Sequence, residues 1–185
     1  MQVKERTRQE IEARLKAMGD YVRIDYLQSA LSTHLDFDTK RYVLLTLSGI
    51  YENKNMFLEA GRLMKNAAEI NTTFKAKMQD YMKSVLLMIK AGTYQDADML
   101  FAQALALGNE REKTELKQTF KNHYLGEGRA FLKKDKRTQA KKVFEKIITL
   151  DLSSVERKEA QDTLLDLYQK LGNIREFYKL RDSIK

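Results

Sequence analysis

Apolar side chains recur three or four positions apart along nearly the whole chain. Examples are Tyr42 and Leu45, which are three apart, and Leu47, which is followed by Ile50 three positions later and by Tyr51 four positions later. A helix of about 3.6 residues per turn gathers residues with this spacing on one side, and the strict alternation of a half-buried strand is absent. The pattern therefore predicts an all-α fold.

Short polar or glycine-bearing stretches interrupt the apolar pattern at regular distances. Stretches such as 91–93 and 133–136 have the size of a tight turn, and the polar joins at 71–73 and 151–154 separate one pair of helices from the next. Clusters of this kind end helices. We expect one domain over residues 1–185 with about ten helices. The predicted antiparallel hairpins span approximately residues 4–36, 39–71, 74–108, 110–151 and 153–185.

An internal repeat is clearest in the second helix of the third hairpin. Gly92 precedes Tyr94, and Ala97, Phe101 and Ala104 follow at spacings of three, four and three. A small side chain at such a position lets a neighbouring helix approach closely enough for a large side chain to fill the gap. The same register fits Ala60, Met64 and Ala67, and again Ala140, Phe144 and Ile147.

The repeat length can be measured between the equivalent positions of the five hairpins. These positions are Ile24, Ala60, Ala97, Ala140 and Phe177, which lie 36, 37, 43 and 37 residues apart. We assign the extra residues of the longest interval to an elongated first helix, from about residue 110 to residue 134.

This arrangement resembles the tetratricopeptide repeat (TPR), in which a glycine ends the first helix, a tyrosine opens the second, and a small, a large and a small residue form the contact between helices. In the first helices, Leu44, Leu47, Ser48 and Tyr51 match the family's large, large, small and aromatic positions. The sequence departs from the family in having no proline to close a repeat and no tryptophan. The resemblance implies a right-handed solenoid of about five helical hairpins.

The resemblance also implies a binding groove, because the first helices of the family line its concave surface. The matching groove positions are Tyr42, Gln79, Met82, Leu86, Lys90, Asn122, Arg129 and Lys133. For Met82 and Leu86, packing in the core is an equal alternative. Some members of the family hold a terminal carboxylate with lysines and asparagines of adjacent repeats, and the matching positions here do not carry that set.

Positive charge is concentrated in the fourth hairpin. The chain has a net charge of +8, and the segment from Arg111 to Lys146 holds twelve basic and five acidic residues. Beside Lys133, the basic patch consists of Lys134, Lys136, Arg137, Lys141 and Lys142. One interpretation is a solvated helix surface, and the others are a surface for an acidic protein segment or for a polyanion.

Few residues offer catalytic or metal-binding chemistry. The absence of cysteine excludes disulfides, zinc–thiolate sites and thiol nucleophiles. His34 is close to Asp36 and Asp38, which we interpret as helix-capping residues, and His123 is expected to be a partly buried ring. Gly126 and Gly128 fall inside a helical pattern and are interpreted as packing glycines. We therefore expect no catalytic residue, no metal, no cofactor and no enzymatic activity.

The sequence favours a protein–protein interaction scaffold or adaptor. It would bind a peptide or helix of a partner, including an acidic one, in the concave groove, as part of a larger assembly. The alternative is binding of nucleic acid or of an anionic surface through the basic hairpin 111–146. No apolar stretch is long enough for a signal-peptide core or a membrane span, so we expect a cytoplasmic protein without a transmembrane segment.

Overall fold

The computed structural model describes residues 3–184. It is all-helical, with 81% of residues in helices, and no strand forms among the described residues. The prediction of an all-α fold is therefore confirmed. The ten helices found between residues 3 and 184 are α1 (Arg8–Lys16), α2 (Asp20–Leu31), α3 (Phe37–Asn53), α4 (Phe57–Ile70), α5 (Phe74–Ala91), α6 (Tyr94–Leu107), α7 (Glu110–Lys133), α8 (Arg137–Ile147), α9 (Ser154–Lys170) and α10 (Ile174–Ile184).

The helix ends follow from local capping chemistry. Asp36 accepts a hydrogen bond from the Thr39 backbone N–H at 2.9 Å and so caps α3, as predicted. Ser153 and Glu156 form a capping box at the start of α9. At the end of α5, Gly92 has a φ of +78°, a left-handed conformation that a residue with a Cβ rarely adopts.

The chain separates into two compact units, unit 1 (Met1–Lys113) and unit 2 (Thr114–Lys185), and the division falls inside α7. Within each unit, consecutive helices pack in a way that is consistent with a helical repeat. The handedness of the whole solenoid and the assignment of all five hairpins to one domain stay predictions. Among the described residues, no helix is long and apolar enough to span a bilayer.

In unit 1, α4 lies between α3 and α5 and is bound to both through buried hydroxyls. Ser48 on α3 donates a hydrogen bond to the carbonyl oxygen of Ala60 at 2.9 Å, and Ser84 on α5 donates one to the carbonyl oxygen of Gly61 at 2.7 Å. A Cβ added at Gly61 would lie 3.0 Å from the Met88 Cε atom, so the missing side chain permits the close approach of α5.

A buried carboxylate joins the same three helices at another point. Asp80 on α5 is only 7% exposed. Its two oxygens accept hydrogen bonds from Arg41 Nη2 on α3 at 3.1 and 2.9 Å, and one of them also accepts from Asn71 Nδ2, at the end of α4, at 3.0 Å. These bonds compensate for the loss of hydration of the buried charge.

In unit 2, α7 and α8 meet at a second packing glycine. A Cβ added at Gly128 would lie 2.9 Å from Cε2 of the buried Phe144 ring and 3.3 Å from Cδ1 of Ile147. Phe120 and Tyr124 pack edge to face, with ring centroids 4.9 Å apart. Gly128 is therefore a packing glycine, as predicted, whereas a Cβ at Gly126 would meet nothing within 4 Å.

The small positions of the predicted repeat are buried, but the large position of the third hairpin is not fully buried. Ala60, Ala97 and Ala140 are all fully buried, which agrees with their interpretation as small contact residues. Phe101 is only half-buried, and the neighbouring Leu100 is buried in its helix.

Candidate protein-binding surfaces

The first helices of two consecutive hairpins, α3 and α5, are held side by side in unit 1. Beside the Arg41–Asp80 pair, Glu52 at the end of α3 forms ion pairs with Lys83 at 2.7 Å and with Lys90 at 3.6 Å. Because these contacts join the two helices along their length, their accessible side chains share one surface. We define this α3/α5 face as Tyr42, Leu45, Gly49, Gln79, Lys83, Leu86 and Lys90.

Most of the groove positions predicted in unit 1 are accessible on this face. Gln79 and Lys90 are exposed, and Tyr42 and Leu86 are half-buried. Met82, in contrast, is only 6% exposed, which favours the alternative that it packs in the core.

The centre of the α3/α5 face is open. A Cβ added at Gly49 would meet nothing within 4 Å. The guanidinium carbon of Arg8, on α1, lies over the Tyr42 ring, 4.8 Å from its centroid, in a cation–π contact. The face thus combines accessible apolar groups with a roomy position on the α3 backbone.

Ion pairing sets the charge of the α3/α5 face. The hydrogen bond from Lys83 is the main cause that lowers the pKa of Glu52 below its usual range, and the charges of Lys83 and Lys90 add to it. The Lys90 amino group also lies 5.3 Å from the centroid of the Phe57 ring. Sequence reasoning missed Lys83, although its spacing from Gln79, Leu86 and Lys90 places it on the same side of a helix.

In unit 2, the first helices α7 and α9 are joined in a similar way. Lys121 forms an ion pair with Glu156 at 2.9 Å, and Arg129 forms one with Glu159 at 2.8 Å. We define the α7/α9 face as Asn122, Leu125, Gly126, Arg129, Glu159, Asp162 and Asp166. Its accessible charges are basic on α7 and acidic on α9.

Two predicted groove residues on α7 differ in their surroundings. Asn122 is exposed and accepts a hydrogen bond from Gln118 at 2.9 Å. Lys133 is also exposed and is the last residue of α7. Lys133 therefore belongs to the turn that follows as much as to the helix face.

The turn between α7 and α8 brings the predicted basic patch together. We call this surface the basic tip and define it as Lys133, Lys134, Lys136, Arg137, Lys141 and Lys142. All six side chains are exposed except Lys141, which is half-buried.

Two members of the basic tip have polar partners. Arg137 pairs with Asp135 at 2.8 Å, and Lys141 Nζ donates a hydrogen bond to Asn173 Oδ1 at 3.3 Å. The other four, Lys133, Lys134, Lys136 and Lys142, have no carboxylate within 4 Å anywhere in residues 3–184. The first turn of α8 contains no acidic residue, so the positive end of its dipole adds to the charge of Lys136, whereas Lys133 lies at the negative end of the α7 dipole.

The two histidines lie apart from these surfaces. His34 is exposed in the turn between α2 and α3. His123 is exposed on α7, so the expectation of a partly buried ring is wrong. Within the described part of the chain, no three acidic or histidine side chains gather in a way that could hold a metal ion.

Comparison with known proteins gives no match to any family model and no significant match among curated proteins. The resemblance to the tetratricopeptide repeat thus depends on the residue pattern alone.

Proposed function

We propose that this chain is a TPR-like helical-repeat scaffold that binds a segment of a partner protein on the faces of its first helices. The main support is the open space over Gly49, in the middle of the α3/α5 face. Tyr42 and Leu86 supply accessible apolar surface on this face, and Gln79 supplies hydrogen-bonding groups. Such a mixture suits an amphipathic helix or an extended peptide.

The glycines inside helices give a physical reason for expecting a close partner. Glycine within a helix is less stable than alanine by about 1 kcal/mol. Packing against Met88 and Phe144 accounts for Gly61 and Gly128, whereas Gly49 and Gly126 have open space around the missing Cβ. A partner that approaches the backbone of the first helices would account for Gly49 and Gly126 as well.

The remaining expectations from the sequence are part of this proposal. They comprise a role within a larger assembly, the absence of enzymatic activity and of a cofactor, and a cytoplasmic location. Each stays a prediction, as does binding of nucleic acid by the basic hairpin.

The proposal can be tested by filling the open space with the variant Gly49→Arg. Because arginine has a higher helix propensity than glycine and nothing lies within 4 Å, the variant is expected to fold with equal or higher stability. Quantitative affinity capture should then show partner proteins that bind the wild type and are depleted about tenfold or more with the variant.

The matched control is Asn66→Arg, which places the same side chain at an exposed position of α4. It should capture the same proteins as the wild type. The proposal is contradicted if the wild type captures nothing beyond what an unrelated basic bait captures, or if Gly49→Arg and Asn66→Arg bind equally well.

A further inference from the structure

The basic tip holds an excess of positive charge that its own unit does not balance. Six of the ten residues from Lys133 to Lys142 are basic, and only Asp135 is acidic. Asp135 is already paired with Arg137. Like charges at this density repel one another, so the arrangement lowers the stability of the folded state unless an anion is present.

Elsewhere in the chain, many cations lie beside a carboxylate. Lys83 lies against Glu52, Lys121 against Glu156, and Lys170 against Asp166, each within 2.9 Å. What distinguishes the basic tip is that four lysines without an ion pair in residues 3–184 lie within one stretch of ten residues. They are exposed on both sides of one turn, where a ligand could reach all of them.

We propose that the basic tip binds an acidic segment of a partner protein, rich in aspartate and glutamate. The inference deepens the proposed function, on which it rests, by naming the chemistry of the partner. Carboxylates of such a segment would supply the negative charges that Lys133, Lys134, Lys136 and Lys142 lack within the described chain.

The side chains around the basic tip favour a peptide over a nucleic acid or a membrane. Phe131 is half-buried and Phe144 is buried, so the tip presents no fully exposed aromatic ring. Single-stranded nucleic acids are held by stacking on such rings, and membrane-surface binding uses exposed apolar groups.

The test measures binding of a fluorescent oligoglutamate peptide of about twelve residues, a DNA duplex and vesicles containing phosphatidylserine at the same ionic strength. The test variant replaces Lys133, Lys134, Lys136 and Lys142 with glutamine. Each exposed ion pair contributes only modestly to binding, but the variant loses four of them together, so it should bind the peptide about tenfold more weakly or worse.

The control variant removes the same charge from four other lysines that are exposed and have no ion pair within the described chain: Lys16, Lys40, Lys75 and Lys117. It should bind the peptide within about twofold of the wild type. Equal losses in the two variants, no binding of the peptide by the wild type, or tighter binding of the duplex or the vesicles than of the peptide would overturn the proposal.

The same assay separates this inference from the proposed function. Gly49→Arg leaves the basic tip intact and should bind oligoglutamate as the wild type does. If capture by the α3/α5 face fails while the peptide still binds, only the groove proposal is refuted, and the reverse result refutes only the inference about the basic tip.

Discussion

The hydroxyl of Ser84 donates a 2.7 Å hydrogen bond to the carbonyl oxygen of Gly61, and Ser84 is fully buried. This bond joins α5 to α4 where the missing side chain of Gly61 lets the helices meet. Ser84→Ala should lower the free energy of unfolding in urea by about 1 kcal/mol, because one buried hydrogen bond is lost. Ser29→Ala is the control, since the Ser29 hydroxyl bonds within its own helix to the Asp25 carbonyl. Equal effects of the two changes would contradict the role given to Ser84.

The two glycines of α7 should respond to alanine in opposite directions. In Gly128→Ala the new Cβ would lie 2.9 Å from the buried Phe144 ring, so overpacking should cost about 1–3 kcal/mol. Gly126→Ala meets nothing within 4 Å and should raise stability by up to about 1 kcal/mol through helix propensity. Thermal melts of both variants show whether each change raises or lowers the stability relative to the wild type. A stabilised Gly128→Ala variant would show that α7 and α8 are less closely packed than described.

Replacement of Ala97 tests the repeat register. Ala97 is fully buried on α6, so Ala97→Leu should overpack its surroundings and cost about 1–3 kcal/mol. Ala102 is exposed on the same helix, and Ala102→Leu should change stability by less than about 0.5 kcal/mol. Wild-type stability in Ala97→Leu, measured by denaturant unfolding, would argue against the assigned register.

Removal of the buried carboxylate should be costly. In Asp80→Ala, Arg41 loses both of its hydrogen bonds to the carboxylate and the Asn71 amide loses an acceptor. Because the Arg41 charge is partly buried, we expect a loss of about 2–4 kcal/mol in the free energy of unfolding. Asp162→Ala, an exposed position on α9, serves as the control and should be nearly neutral. A mild effect of Asp80→Ala would mean that water replaces the lost partner.

The ion pair at the start of α9 predicts a dependence of stability on pH. The hydrogen bond from Lys121, followed by those from Ser153, lowers the pKa of Glu156 from 4.5 to about 2. A carboxyl whose pKa is lowered by folding stabilises the protein above its unfolded pKa, and this contribution is lost as the pH falls towards the folded pKa. At pH 7 the free energy of unfolding of the wild type should therefore exceed that of Glu156→Gln by about 1 kcal/mol, and this advantage should shrink between pH 5 and pH 2.

Urea unfolding at several pH values provides the measurement. Glu12→Gln, an exposed position on α1, controls for the removal of one charge and should differ little from the wild type throughout. An advantage over Glu156→Gln that stays constant down to pH 2 would refute the role of the carboxylate charge.

Local features of the sequence were sufficient to predict the helices and several of their ends. The elongated first helix expected from about residue 110 to residue 134 is α7, Glu110–Lys133. Asp36 caps α3, and Ala97 and Ala140 are buried as the repeat pattern indicates. Periodicity, caps and small residues act within a few residues of the chain, so they can be interpreted without the tertiary structure.

Contacts between distant segments were decided only by the tertiary structure. Arg41 and Asp80 are 39 residues apart, and no local signal pairs them or places Lys83 against Glu52. From the sequence, Met82 could face either the core or the groove, because it lies at the border of the apolar side of α5. In the structure, α5 is rotated about its axis so that the Met82 side chain is buried against the neighbouring helices. The spacing of apolar residues determines which side of a helix is apolar, whereas side-chain packing between helices sets how far that side is turned inwards.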